Sequence, residues 1–260
     1  MPKLTKHWLG VFKGEEMVGA VTLGWGTRPL HTIQKIINVW VDSSQYLEIG
    51  KMCLIDSEPR NSETQMISQL VRWLKENCRE VIFLYTLADG IMGKIGTVYQ
   101  AANFYYGGEY WTDVYISSDG EKIHPRTTRA LCKENWRWHY EEASEGFSQK
   151  FKDAHDAKGA TAKQQVYWLT PEYMNHIGLR KIKGKMFRYM LPLSKRARKI
   201  LKEEADIEWE NNSASFPKIS NGVLEWKELV SRGKYKTLDK IPDWNLASVV
   251  YNQANVNQHR

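Results

Sequence analysis

Two short apolar runs open the chain. HWLGVF (7–12) and MVGAVTLG (17–24) flank the polar tetrad KGEE, which predicts antiparallel strands His7–Phe12 and Met17–Gly24 joined by a turn. IINVWV (36–41) is open to a further strand, and LEIGKMCLI (47–55) reads as one. The period then changes. Met66, Ile67, Leu70, Val71, Trp73 and Leu74 recur at helical spacing, predicting an amphipathic helix that reaches Asn77. Pro59 holds its preceding residue extended, so the helix should begin near Asn61, with Ser62 and Gln65 matching an S-x-x-Q capping box. EVIFLYT (80–86) reads as a continuous apolar run, short and rich in β-branched and aromatic residues, as suits a buried central strand. The order strand, helix, strand predicts a parallel crossover.

The segment GKIGTVYQAANFYYGG (93–108) comes next. Gly90, Gly93 and Gly96 predict a flexible loop, Thr97 can cap a helix of about one and a half turns, and Asn103 can end it in the left-handed conformation. Val98, Ala101, Ala102 and Phe104 would then face the core, with Tyr99 and Gln100 toward a crevice. EYWTDVYIS (109–117) and KIHPR (122–126) around SDG predict a hairpin. Residues 132–165 are polar, helical or loose. VYWLT (166–170) and KMFRYML (185–191) return to strand character, and SKRARKILKEE (194–204) is a basic helix with a capping serine. Residues 206–260 give no assignable pattern. The expected organisation is a mixed α+β sheet of α/β class: a core over 1–131, an insertion over 132–165, closing strands and a basic helix over 166–205, and an extension over 206–260.

Charge adds a partner. The net charge is +7, and from Leu179 to Lys202 there are ten Lys or Arg and no Asp or Glu. Such a stretch is either a solvated face or a nucleic-acid surface. Three widely spaced cysteines, Cys53, Cys78 and Cys132, suit a reducing cytoplasm and form no zinc spacing. No leader or membrane span is expected.

Three positions carry candidate chemistry. PRNSET (59–64) stands at a strand-to-helix junction, where free N–H groups and the helix dipole attract an anion and Arg60 adds a cation; ordinary capping explains the same residues. Asp89 follows the central strand, where a binding crevice lies in open α/β sheets, although Asp-Gly is also an everyday turn. The Tyr99 phenol can donate a proton or simply pack. The histidines form no metal spacing, and His31, His124 and His176 stand alone. There is no nucleophile elbow, P-loop or dinucleotide fingerprint.

PRNSET, a helix, a strand, then YTLADG and GTVYQAANFYYGG together resemble the GNAT acyltransferase architecture, with YQAANF in place of its Tyr-x-x-x-Gly-Phe helix and Asn103 where glycine is usual. More specifically, PRNSE, the aspartate turn and GTxYxAAN are similar to the phage Mom family, over roughly residues 7–129 and more loosely 185–202. That resemblance implies modification of adenine in double-stranded DNA to a carbamoylmethyl form, with an acyl-CoA such as acetyl-CoA as cofactor. It implies Asp89 and Tyr99 as active-site groups, and Arg60, Asn61, Ser62 and Glu63 at the cofactor end. Lys51 and Thr64 would occupy further catalytic positions where the family usually has arginine and serine. Family members usually carry an upstream His-Tyr segment, and iron has been connected with their chemistry; this chain begins almost at the first strand, so the true start is expected upstream or the activity altered.

The leading expectation is therefore a phage DNA modification enzyme in the host cytoplasm. Arg180, Lys181, Lys183, Lys185, Arg188, Lys195, Arg196, Arg198 and Lys199 would hold phosphates, and Tyr105, Tyr106 or Trp111 would stack on a flipped base. The alternatives are a general GNAT N-acyltransferase on a protein or small amine, and an inactive DNA-binding relative.

Overall fold

The computed structural model describes residues 5–25, 32–117, 120, 122–123, 174, 179–231, 233–240 and 242. Among them the strands are β1 (Thr5–Lys13), β2 (Glu16–Gly24), β3 (Tyr46–Leu54), β4 (Phe83–Asp89), β5 (Tyr105–Ile116), β6 (Lys122–Ile123), β7 (Arg180–Pro192), β8 (Trp226–Ser231) and β9 (Lys234–Leu238). The α-helices are α1 (Ser62–Asn77), α2 (Thr97–Ala101) and α3 (Lys195–Glu203). The strand order is β1-β2-β3-β4-β7-β5-β6, with β8 on β7 and β9 on β8. Contacts divide the chain into two compact units, 1–110 with 186–223 and 111–185 with 224–260; β5 and β7 run from one into the other.

In the first unit β1 and β2 form the expected antiparallel hairpin, and β3 joins β4 in parallel through α1. The mixed α+β sheet is thus observed. Antiparallel β4 and β7 pair from Phe83↔Pro192 to Asp89↔Met186. Because side chains alternate across a strand, Tyr85, Leu87 and Asp89 share a face with Met190, Arg188 and Met186, while Thr86 and Ala88 share the other with Tyr189 and Phe187. The first face is covered by a cluster of Ile33, Ile37, Val41, Trp209 and the α3 residues Ala197 and Leu201. Helix α1 buries Met66, Ile67, Leu70 and Leu74 of the apolar face the spacing predicts, while Val71 and Trp73 are half-buried at its margin.

Residues 36–41 are not a strand. Ile33–Lys35 form a 3-10 turn, and Ile37 makes a single bridge to Ala205. Gln34 replaces the missing ladder: its amide donates to the Val39 carbonyl at 2.9 Å, and its oxygen accepts from the Val41 N–H at 3.0 Å. The apolar residues here plug the core as an irregular segment. Both expected helix caps are also displaced by one residue. Asn61, at φ 73, precedes α1 without a side-chain capping bond, and Ser62 is the first helical residue; Gly96, at φ 83, precedes α2 in place of Thr97.

The remaining departures are local. Asn103 is left-handed as predicted, at φ 61, but Ala101 is exposed. Gln100 turns inward, donating to the Tyr189 hydroxyl at 2.9 Å and the Pro217 carbonyl at 3.3 Å. In the second unit β5 and β6 form the expected hairpin, Tyr115↔Ile123 and Ile116↔Lys122. The hairpin of β8 and β9 was not predicted. The expected insertion over 132–165, the strand 166–170, and Cys132, His31, His124 and His176 lie outside the described residues. Among the described residues no helix is long and apolar enough to cross a membrane.

Gly96 combines two constraints, a positive φ and a close approach: a Cβ there would overlap the Tyr189 ring and stand 3.1 Å from the Ala88 Cβ. Gly96→Ala is expected to cost about 2–4 kcal/mol in urea unfolding. Gly14→Ala, at φ 64 with nothing within 4 Å, should lose only about 1 kcal/mol.

Candidate active site

The site begins with a bulge. Pairing of β2 with β3 shifts from Thr22↔Lys51 to Leu23↔Ile49, leaving Gly50 as the extra residue. The Thr22 hydroxyl oxygen accepts the Lys51 N–H at 2.9 Å, and a Cβ on Gly50 would stand 3.1 Å from that oxygen. A bulge bends its strand and ends regular pairing. Accordingly β3 and β4 pair only at Tyr46↔Phe83, Leu47↔Leu84 and Glu48↔Tyr85, while β4 stays registered on β7 as far as Asp89. The two parallel strands therefore part after Glu48 and Tyr85, and the α1 start follows the outer one.

Glu48 stands where they separate. The Tyr46 hydroxyl donates to its Oε2 at 3.4 Å, and its charge reaches Tyr85, Tyr99 and Tyr110. Tyr99 packs its ring 5.4 Å from Phe104 and 5.5 Å from Tyr189. Burial raises its pKa, opposed by a hydrogen bond with Thr86 and reinforced by Glu48. The phenol is thus a proton-bearing group at neutral pH. Asp89 ends β4, and its Oδ1 accepts from the Ile91 N–H at 3.1 Å and the Met92 N–H at 3.3 Å, which fixes the carboxylate's direction.

Tyr110 links these groups. Burial raises its pKa, Arg188 lowers it, and both Glu48 and Asp89 raise it. The Arg188 guanidinium lies 4.5 Å over the Tyr110 ring and donates to the carbonyls of Gly107 at 3.3 Å and Glu109 at 3.5 Å. By register Asp89 belongs to the Tyr85 face of β4, whereas Tyr99 touches Thr86 and Tyr189 of the opposite face. Glu48, at the parting of the strands, is the carboxylate whose field reaches Tyr99 on one side and Tyr110 on the other. Glu48, Tyr110 and Arg188 escaped sequence reasoning as site residues; the available signal for Glu48 was a lone carboxylate inside a strand.

At the helix start Arg60, Asn61 and Glu63 are exposed, Ser62 and Thr64 are half-buried, and Lys51 is exposed on β3 beside the bulge. The Ser62 N–H closes a turn onto the Pro59 carbonyl at 3.1 Å, and no Asn61 side chain occupies the next N–H groups. The basic stretch is divided between the two units. Arg188 and the exposed Lys195, Arg196, Arg198 and Lys199 belong to the first unit, with Lys199 3.7 Å from Glu203. Arg180, Lys181, Lys183 and Lys185 belong to the second. There Arg180 pairs with Glu228 at 2.6 Å, Lys181 with Asp113 at 3.0 Å and Lys185 with Glu225 at 2.6 Å. Of the expected stacking residues, Tyr105 and Tyr106 are half-buried, the latter donating to Glu109 at 2.5 Å, and Trp111 is exposed in the second unit. Among the described residues no three His, Cys, Asp or Glu side chains converge as metal ligands, so these residues do not frame the iron that the resemblance implies.

A sequence profile of the Mom protein family matches residues 1–208. The chain is also 33% identical over 132 residues to the methylcarbamoylase mom of Escherichia phage Mu, a match covering 51% of this chain and 54% of that protein. It thus spans about half the length of that relative. Residues 209–260, with β8 and β9, fall outside the profile.

Tyr46, Tyr85, Tyr99, Tyr106, Tyr110 and Tyr189 all have raised pKa values, with burial the largest cause in each. A raised acid pKa means the folded state keeps a proton that the unfolded state loses near pH 10. Their contribution to stability is fully present below about pH 10 and is lost as pH rises beyond it. The urea midpoint should fall steadily above that pH, and Tyr85→Phe should make the fall shallower.

Proposed function

This chain belongs to the Mom protein family, and we propose that it is a DNA-modifying enzyme of GNAT-like design that transfers a group to adenine in double-stranded DNA of an infected cell. The observation that carries this reading is the separation of β3 from β4 after Glu48↔Tyr85, beside the α1 start and among Glu48, Asp89, Tyr99, Tyr110 and Arg188. The methylcarbamoylase relative supports the chemistry.

An acyl-CoA fits the α1 start. Its phosphates would take the uncapped N–H groups of Glu63 and Thr64 and the Arg60 guanidinium, with Ser62 and Lys51 alongside. Bound there, the thioester supplies an activated carbonyl. The adenine amine is a weak nucleophile that must shed a proton as it reacts. Glu48, whose charge reaches Tyr99 and Tyr110 alike, is the acceptor in this reading, and Asp89, aimed by two backbone N–H groups, orients the base from the Tyr110 side. Tyr99, kept protonated by burial, donates to the departing sulfur. An adenine inside a duplex must first leave the stack, and the half-exposed ring of Tyr110 beneath Arg188 offers a surface for it. Displacement at a thioester joins the base to a carbonyl carbon, whereas a carbamoylmethyl group is joined through its methylene carbon. The product therefore reports the chemistry.

A second reading, an N-acyltransferase on a protein or small amine, draws support from the neutralised cations of β7, since that reading does not need a free basic stretch. DNA from cells expressing the protein should contain a modified adenine nucleoside by mass spectrometry, and its fragments distinguish an N-acyl from a carbamoylmethyl adduct. Glu48→Gln and Tyr99→Phe should each lower its yield by about 100-fold or more. Unmodified adenine together with acylated protein would favour the second reading.

A further inference from the structure

The second unit holds a cleft with no role in the reaction proposed above. Its volume is about 420 Å³, and it is lined by Trp111, Lys183, Lys227, Gly233, Tyr235 and Thr237, from β5, β7 and the hairpin of β8 and β9. Lys183 and Lys227 are direct partners across the antiparallel β7 and β8 pair. Like charges placed this way repel and weaken the sheet. Their neighbours on these strands are neutralised, Arg180 by Glu228, Lys181 by Asp113 and Lys185 by Glu225. Among the described residues neither Lys183 nor Lys227 has a carboxylate partner; each ammonium lies against a ring instead. Lys183 Nζ is 4.9 Å from the Tyr235 centroid, and Lys227 Nζ is 4.4 Å from that of Trp111.

Two facing ammonium groups with no counterion among the described residues, between two accessible aromatic rings, match an anion that carries a flat ring. Single-stranded nucleic acids are held by this combination of phosphate charge and base stacking. We propose that the cleft binds an unpaired nucleotide of a DNA strand, with its phosphate between Lys183 and Lys227 and its base on Trp111. This rests on DNA being the substrate. The cleft's β8–β9 wall lies wholly outside the family match, so the extension would add strand capture to the family core.

The test measures binding of a labelled single-stranded oligodeoxynucleotide to the full chain by fluorescence anisotropy over a salt series. The Lys183→Gln, Lys227→Gln double variant should bind more weakly, with a log-log salt slope shallower by about 0.7, the share of the one phosphate held between them. Lys227→Arg should retain the slope, which separates charge from misfolding. Trp111→Leu should weaken binding by roughly tenfold, and that loss should vanish on a strand abasic throughout. Wild-type affinity and slope in the double variant, or equal binding of the base-bearing strand by Trp111→Leu, would overturn the proposal. So would competition by free deoxyadenosine monophosphate at the same concentration as the strand, because the site would then take a free nucleotide. Nucleoside analysis reads the enzymatic proposal separately: a protein that modifies no adenine can still show these binding effects, and one that does can lack them.

Discussion

The candidate site depends on a sheet that is not allowed to stay regular. An undisturbed parallel pair would carry β3 and β4 side by side to their ends and leave no opening between them. Gly50 prevents this by adding a residue against β2, and Thr22 holds the irregularity by accepting the Lys51 N–H. The strands then follow different partners, β3 bending with β2 while β4 remains on β7 to Asp89. A backbone irregularity of one residue thus determines that Glu48 ends a paired segment rather than sitting within one.

A second constraint places the phenol. The Tyr189 hydroxyl donates to the Ile95 carbonyl and accepts from Gln100, while Gly96 lets the backbone come against the Tyr189 ring. The loop before α2 is therefore tied to β7 by hydrogen bonds on both sides of Gly96. Helix α2 has five residues, too few to be stable by propensity. Its position comes from this attachment and from Phe104, and Tyr99 inherits its orientation from both. Tertiary contact, rather than helix formation, sets the direction of the phenol.

Periodicity made α1, the β1–β2 hairpin and the parallel crossover legible, because in each the buried face repeats at the period of its own element. It failed at 36–41, where Ile33, Ile37 and Val41 are buried without strand pairing and Gln34 serves the backbone, an arrangement with no periodic trace. It failed again over 226–238, where lysines alternate with Trp226, Leu229 and Tyr235 and hide a hairpin within a polar composition. The positions of Asp89 at the end of β4 and of Tyr99 in α2 were legible because each follows an identifiable element. Glu48 and Arg188 were not, since their significance comes from a register shift and a neighbouring strand that lie far away in sequence.

The basic stretch teaches the same lesson through charge. Ten cations without an acid between Leu179 and Lys202 look like a uniform field, yet charge along a strand is balanced by whatever strand pairs with it. Asp113 from β5, Glu225 just before β8 and Glu228 within it cancel three of the four cations on the first half of β7. Arg188 is withdrawn into the site, where a ring and two carbonyls hold it. What survives cancellation has more structure than the sum suggested: an exposed row on α3 in one unit, and a facing lysine pair between aromatic rings in the other. Net charge draws an anionic chain toward the molecule; only these unbalanced positions can select where it is held.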